Sequence, residues 1–274
     1  MAKTWNGKEI VYKHYLDKKI KAVWRKCDFC GEKYKAPISD LERDGKKGMF
    51  CSQSCSSRYR IESNRSEKEN EMRRKEIDWS NDLAYLIGLI ASDGSITKDK
   101  PEIRFSTTDK ELKNNFSDIV SNLLTGKELN YYEHNYRDDK IEYGAKFTHR
   151  KFYQFLLNIG IMPNKSHKLA KIKVPNKYFF HFLRGEFEGD GYVSTRRGRL
   201  LSGITSGSGS FLKWIDSTIK QLSSISGGGI YEQDTVFELS YYHNDSLTLY
   251  RKLYDDSKYY LNRKKKVFGV FIGQ

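Results

Sequence analysis

The chain reads as an α+β protein: two pseudosymmetric αββαββα halves presenting a saddle-shaped antiparallel sheet surface, behind a small cysteine-bearing module. Three observations predict this. A short segment occurs twice, as L-I-G-L-I-A-S-D-G at 86–94 and L-R-G-E-F-E-G-D-G at 183–191. Each copy is followed by the same alternation of strand-like and helix-like stretches. All four cysteines lie before residue 56. Internal self-similarity fixes an architecture before any single element does.

The copies are amphipathic helix candidates. Ala84, Gly88 and Ser92 fall at i, i+4, i+8, as do His181, Gly185 and Gly189, so each set stacks along one helix face. Small residues at that spacing let two helix backbones approach closely. Side-by-side packing would bring Asp93 and Asp190 together at the C-terminal ends. Two neighbouring carboxylates repel unless a cation lies between them, and Mg²⁺ or another hard divalent cation takes oxygen ligands.

These motifs resemble the LAGLIDADG homing endonucleases in their single-chain, two-motif form. The resemblance extends over about residues 79–270 and is carried also by I-G-I-M-P-N-K-S at 159–166 and Y-Y-L-N-R-K-K-K-V-F at 259–268. It implies a double-stranded DNA partner, a monomer, and Asp93 and Asp190 as metal-binding acids, with the carbonyls of Ser92 and Gly189 completing the coordination. It also implies that Lys165 and Lys264 are catalytic basic residues. Where relatives often carry Gln this chain has Ser106 and Gly203, so the two centres are expected to be unequal. Glu186 and Glu188 read either as partners for Arg184 or as surface charges.

Lys plus Arg exceed Asp plus Glu by 14, which predicts an anionic partner, nucleic acid first. No run is long enough to span a membrane and the N-terminus lacks a signal-peptide core, so an intracellular, cytoplasmic or nucleoid-associated, protein is expected.

In chain order, residues 1–60 hold a basic arm and the cysteine module, with 1–26 read as a strand or arm. Cys27-x₂-Cys30 and Cys51-x₃-Cys55, twenty residues apart, have the spacing of a structural Zn²⁺ site of four thiolates. Gly31 would permit the knuckle turn, and the second pair would open a helix. Arg43, Lys46, Lys47, Arg58 and Arg60 could reach DNA. Residues 61–78 read as a charged helical linker. The halves follow at 79–174 and 175–274. The first is a helix at 81–92, strands from 95 and at 102–108, a helix at 109–124, a strand pair at 128–136 and 140–148, and a helix at 151–159. The second is a helix at 178–188, strands at 192–195 and 199–205, a helix at 209–223, a strand pair within 229–240, and a helix at 246–254. Candidates for the DNA-facing sheet surface are Lys98, Arg104, Tyr132, Arg137, Lys146, Arg196, Arg197, Arg199 and Tyr241. The function expected is site-specific double-strand cleavage of a long, imperfectly palindromic target. Alternatives are an RNA splicing maturase, a non-cleaving DNA-binding regulator, or a zinc-ribbon interaction protein.

Overall fold

The computed structural model describes residues 3–15, 18–43, 48–135 and 140–271, so Lys46, Lys47 and Arg137 lie outside the described residues. The chain separates into two compact units, Met1–Asn70 and Glu71–Gln274.

In the first unit, β1 (Thr4–Trp5) and β2 (Lys8–Glu9) pair around Asn6-Gly7. Both turn residues have positive φ, the two-residue turn that matches strand twist. The stretch read as a strand or arm is mostly sheet. β3 (Val11–Tyr15), β4 (Lys18–Lys26) and β5 (Lys33–Pro37) form a three-stranded antiparallel sheet in the order β3-β4-β5. α1 (Ile38–Leu41) and α2 (Gln53–Ser63) follow. The charged segment is not one helix: α2 stops at Ser63, and α3 (Glu67–Arg74) starts afresh. Ser66 and Glu69 cap that start reciprocally. The Glu69 N–H donates to Ser66 Oγ at 3.2 Å, and the Ser66 N–H to Glu69 Oε2 at 2.9 Å.

The second unit contains the repeat. Its first half comprises α4 (Asn81–Ser92), β6 (Gly94–Ile96), β7 (Glu102–Thr107), α5 (Lys110–Val120), β8 (Tyr131–Asn135), β9 (Ile141–Thr148) and α6 (Arg150–Ile159). A π-helical turn, Ser121–Thr125, prolongs α5. Its second half comprises α7 (Phe179–Asp190), β10 (Gly191–Arg196), β11 (Arg199–Ser206), α8 (Gly209–Leu222), β12 (Gly229–Gln233), β13 (Val236–Tyr242) and α9 (His243–Tyr254). An unexpected α10 (Asn262–Gly269) ends the described chain. The two sheets have matching orders, β6-β7-β9-β8 and β10-β11-β13-β12, antiparallel throughout. The helices after the second strand of each half start alike. Asp109 and Ser208 are N-caps whose side chains accept the N–H of Leu112 and Phe211 respectively.

Strand alternation sorts each sheet into two faces. In β7, Ile103, Phe105 and Thr107 are buried beneath the helices, and the Phe105 and Phe116 rings stack 4.0 Å apart. The intervening Glu102, Arg104 and Ser106 lie on the open face. In β11, Leu200, Ser202 and Ile204 are buried, while Arg199 lies on the open face. α4 and α7 are buried nearly all round, with nine and eight buried residues respectively, as befits helices central to a core. No helix among the described residues is long and apolar enough to cross a membrane.

Candidate active site and metal centre

The small-residue seam works as the spacing predicts. A Cβ added to Gly88 would lie 2.1 Å from the Phe182 carbonyl oxygen and 2.7 Å from the Glu186 nitrogen. One added to Gly185 would lie 2.2 Å from the Tyr85 carbonyl oxygen and 2.9 Å from the Leu89 nitrogen. Tyr85 and Leu89 stand in the first copy where Phe182 and Glu186 stand in the second, so the contact is a local two-fold. Backbone meets backbone there, and only Gly fits on either side.

The seam ends at the acids. A Cβ at Gly189 would lie 2.1 Å from Ser92 Oγ and 3.0 Å from Asp93 Oδ2, so the Asp93 carboxylate rests against the start of Gly189-Asp190. Burial, and then the Asp190 charge, raise the Asp93 carboxyl to about 7, with Lys264 and Lys165 pulling it back. Asp190 is raised by burial against the same two lysines. Buried neighbouring acids that resist ionisation suit a divalent cation, whose charge takes the place of their protons.

Lys165 and Lys264 are 6% and 4% exposed, not surface lysines. Each closes the C-terminal end of the motif helix in its own half. Lys165 Nζ donates to the carbonyls of Ala91 and, at 3.0 Å, Ser92. Lys264 Nζ donates to those of Phe187 at 2.6 Å, Glu188 at 3.0 Å, and Gly191. Cations belong at a helix C-terminus, where unpaired carbonyls gather. The Ser92 carbonyl expected at a metal is thus already accepting one hydrogen bond, which leaves it one lone pair. Burial lowers the Lys264 ammonium to about 8, with Arg263 adding to the effect.

The surface reading of Glu186 and Glu188 is wrong: each is 1% exposed. Glu188 accepts hydrogen bonds from the Tyr85 hydroxyl, across the seam, and from the Leu261 N–H at 2.8 Å. Arg184, also buried, lies 5.0 Å from the Tyr85 ring centroid and donates to the Leu253 carbonyl at 2.9 Å. Glu186 is raised well above the usual carboxylate range by burial and Asp190, with Lys165 opposing. Sequence reasoning named these three residues but left open whether they were partners or surface charges. The signal for their burial is three charged residues on a helix whose counterpart in the first copy, Ile87, Leu89 and Ala91, is apolar.

Most candidates for the sheet surface lie on the open faces. Arg104 pairs directly with Lys146 across β7 and β9, and Arg196 with Arg199 across β10 and β11. Lys98 is exposed beyond β6, and Arg197 occupies the β10–β11 turn. Tyr132, 54% exposed, covers Gly144, where a Cβ would lie 2.2 Å from its ring. Tyr192 covers Gly203 in the same manner, so the second half has a tyrosine ring where the first has the Ser106 side chain. Tyr241 is a correction. It is 2% exposed, and its hydroxyl donates to Asp216 Oδ1 at 2.8 Å beneath α8. One residue of register separates it from Tyr242, which is 48% exposed on the open face.

In the first unit, the sulfurs of Cys27, Cys30, Cys51 and Cys55 all lie within 4.8 Å of one another. Tetrahedral zinc, with Zn–S of about 2.3 Å, sets sulfurs about 3.8 Å apart. Cys30–Cys51 and Cys51–Cys55 stand at 3.6 and 3.5 Å. Gly31, at φ 74°, makes the knuckle turn, and Ser52 caps α2 by accepting the Cys55 N–H at 3.2 Å. Burial pushes the Cys27 thiol up, but the N–H groups of Cys30, Cys51 and Phe29 outweigh it and bring it to about 6. Hydrogen bonds with Cys55 and Cys30 hold Cys51 up at about 12. Four sulfurs this close cannot all be thiolates without a cation, and their donor set fits zinc.

A helical seam with both acids together at one end and a four-stranded sheet in each half is the arrangement of the LAGLIDADG-like class of fold. Residues 80–160 match the family model described as a LAGLIDADG-like domain. Among solved structures, the homing endonuclease I-WcaI bound to its DNA recognition sequence matches at TM-score 0.55 and 15% identity, over 75% of this chain and 93% of that one. Full-length DUF199/WhiA from Thermatoga maritima matches at TM-score 0.51 and 15% identity, over 76% of this chain and 65% of that one. No curated protein sequence matches. At these identities the likeness is one of fold.

Proposed function

We propose that the second unit is a divalent-cation-dependent DNA endonuclease that cuts both strands of a long, imperfectly palindromic site. We take 79–174 and 175–274 as its two halves and a single chain as the working molecule. The observation that carries this reading is the end of the glycine seam, where Asp93 of one half rests against Gly189-Asp190 of the other. A cation held there by Asp93 and Asp190 would polarise a phosphodiester oxygen and supply a water of lowered pKa. Lys165 and Lys264 hold the helix ends that carry the acids and add positive charge beside the phosphates. The open sheet faces bind the duplex. Like charges directly opposite on neighbouring strands are unfavourable, and Arg104/Lys146 and Arg196/Arg199 become favourable against a polyanion. Tyr132 and Tyr242 add aromatic edges suited to a major groove. Zinc, held by Cys27, Cys30, Cys51 and Cys55, is structural. A protein with this substrate works inside the cell.

The test incubates the zinc-loaded protein with a randomised duplex library and Mg²⁺, beside Asp93→Asn and Asp190→Asn, and sequences the ends. Recurrent double-strand ends that need Mg²⁺ and both acids support the reading. Enrichment of bound duplexes without cut ends would replace it with a non-cleaving DNA-binding regulator. Preference for a folded RNA over every duplex would replace it with a maturase.

A further inference from the structure

The first unit carries a surface that the nuclease reading does not use. Trp24 sits on β4, in the middle of the three-stranded sheet, and is 50% exposed. A Trp half open to solvent forgoes much of the benefit of burial. Its surroundings are cationic. Strand alternation places Trp24 and Lys26 of β4 on one face with Lys33 and Lys35 of β5, and the same face continues through buried Ala22 and half-buried Ile20 to Lys18. Lys35 is directly opposite Trp24, and its Nζ lies 5.5 Å from the indole centroid. Lys26 is directly opposite Lys33, a like-charge pair that weakens the sheet in isolation. Trp24, Arg25, Lys26 and Lys33 line a hollow of about 570 Å³, larger than a nucleobase needs.

We propose that this face binds single-stranded nucleic acid, with one unpaired base stacked on Trp24 and the flanking phosphates held by Lys26, Lys33 and Lys35. An indole ringed by ammonium groups suits this occupant above a duplex, whose bases are already stacked on each other. Every base offers a π-face, so such a platform tolerates sequence, while the lysines supply salt-dependent attraction to the backbone. The like-charge pair also has a purpose on this account: the repulsion between Lys26 and Lys33 is relieved when a phosphate lies between them. The proposal holds whether or not the second unit cuts DNA.

The test uses the full chain with Asp93→Asn and Asp190→Asn, so that no cleavage intervenes, and zinc content as the check on folding. Fluorescence anisotropy would follow labelled single-stranded DNA and RNA 12-mers and the corresponding DNA duplex. Trp24→Leu is expected to weaken single-strand binding roughly 10-fold, as for one stacked base, with Trp24→Phe restoring most of it and duplex affinity unchanged. Lys26→Gln/Lys33→Gln, at exposed positions, should flatten the single-strand salt dependence by about 0.7 in log–log slope, for the one phosphate they share. The difference between the DNA and RNA arms identifies the polymer. Single-strand affinity unchanged by both sets of variants, or single strand and duplex weakened equally by Trp24→Leu, would overturn the proposal.

Discussion

Asp93→Asn should stabilise the protein as it abolishes cleavage. The carboxyl sits at about 7 in the folded protein against an ordinary 3.8, so the folded state holds a proton that the unfolded chain has released. Between those values the native state binds more protons, and stability falls as pH rises. Three pKa units correspond to about 4 kcal/mol at pH 8, and the part of the window crossed by pH 5.5 to about 2 kcal/mol. Both are ceilings, because water reaching a partly exposed carboxylate reduces them. Asn keeps the shape and removes the charge. Urea unfolding, followed by Trp79 and Trp214 fluorescence in zinc-loaded, Mg²⁺-free protein without chelator, should therefore give a larger gain for Asp93→Asn at pH 8 than at pH 5.5. Mg²⁺ should raise the stability of the unsubstituted protein at pH 8 and largely fail to do so for the variant. A variant less stable at both pH values, or a gain independent of pH, would refute the reasoning.

Gly88→Ala places a methyl 2.1 Å from the Phe182 carbonyl oxygen. It should cost about 3 kcal/mol in urea unfolding, the upper end of the overpacking range because the neighbour is rigid backbone, and remove cleavage even where the fold survives. Cys51→Ser should lose its zinc in metal analysis and unfold the first unit, while the Trp79 and Trp214 transition of the second unit stays in place. Tyr85→Phe withdraws one of two donors from buried Glu188 and should cost about 1–3 kcal/mol in the same unfolding assay. Because Ser106 in one half faces no counterpart side chain at Gly203 in the other, single-turnover cleavage should accumulate a nicked duplex; equal rates on both strands in a gel would count against unequal centres.

The elements most legible in the sequence were those whose physics is local. The motif helix expected at 81–92 is α4 as formed, because small residues at i, i+4, i+8 admit few other readings. The cysteine spacing likewise implies its own cluster. Elements that depend on context were harder. No helix is expected after 254, yet α10 forms at Asn262–Gly269 and buries Lys264, since the orphan carbonyls it satisfies belong to a helix over 70 residues earlier. Tyr241 was placed on the wrong face because a single step of register exchanges the two sides of a strand. The surface alternative for Glu188 rests on the common rule that acids on a helix face water, a rule that fails where a partner helix supplies the donor, as Tyr85 does. The break between α2 and α3 did have a signal, Ser66-x-x-Glu69, hidden in a run of charge.

The seam also decides which half can pair with which. If two copies of the first half met, Tyr85 would find Ala91 of the other copy where Glu188 now stands, and its hydroxyl would lose its acceptor. If two copies of the second half met, Glu188 would face Phe182 in place of Tyr85, one buried carboxylate short of a donor on each side. Either self-pairing forfeits a buried hydrogen bond twice over, while the mixed pairing satisfies it. The Tyr85–Glu188 hydrogen bond thus biases the seam toward pairing of unlike halves, which a single chain carrying both supplies.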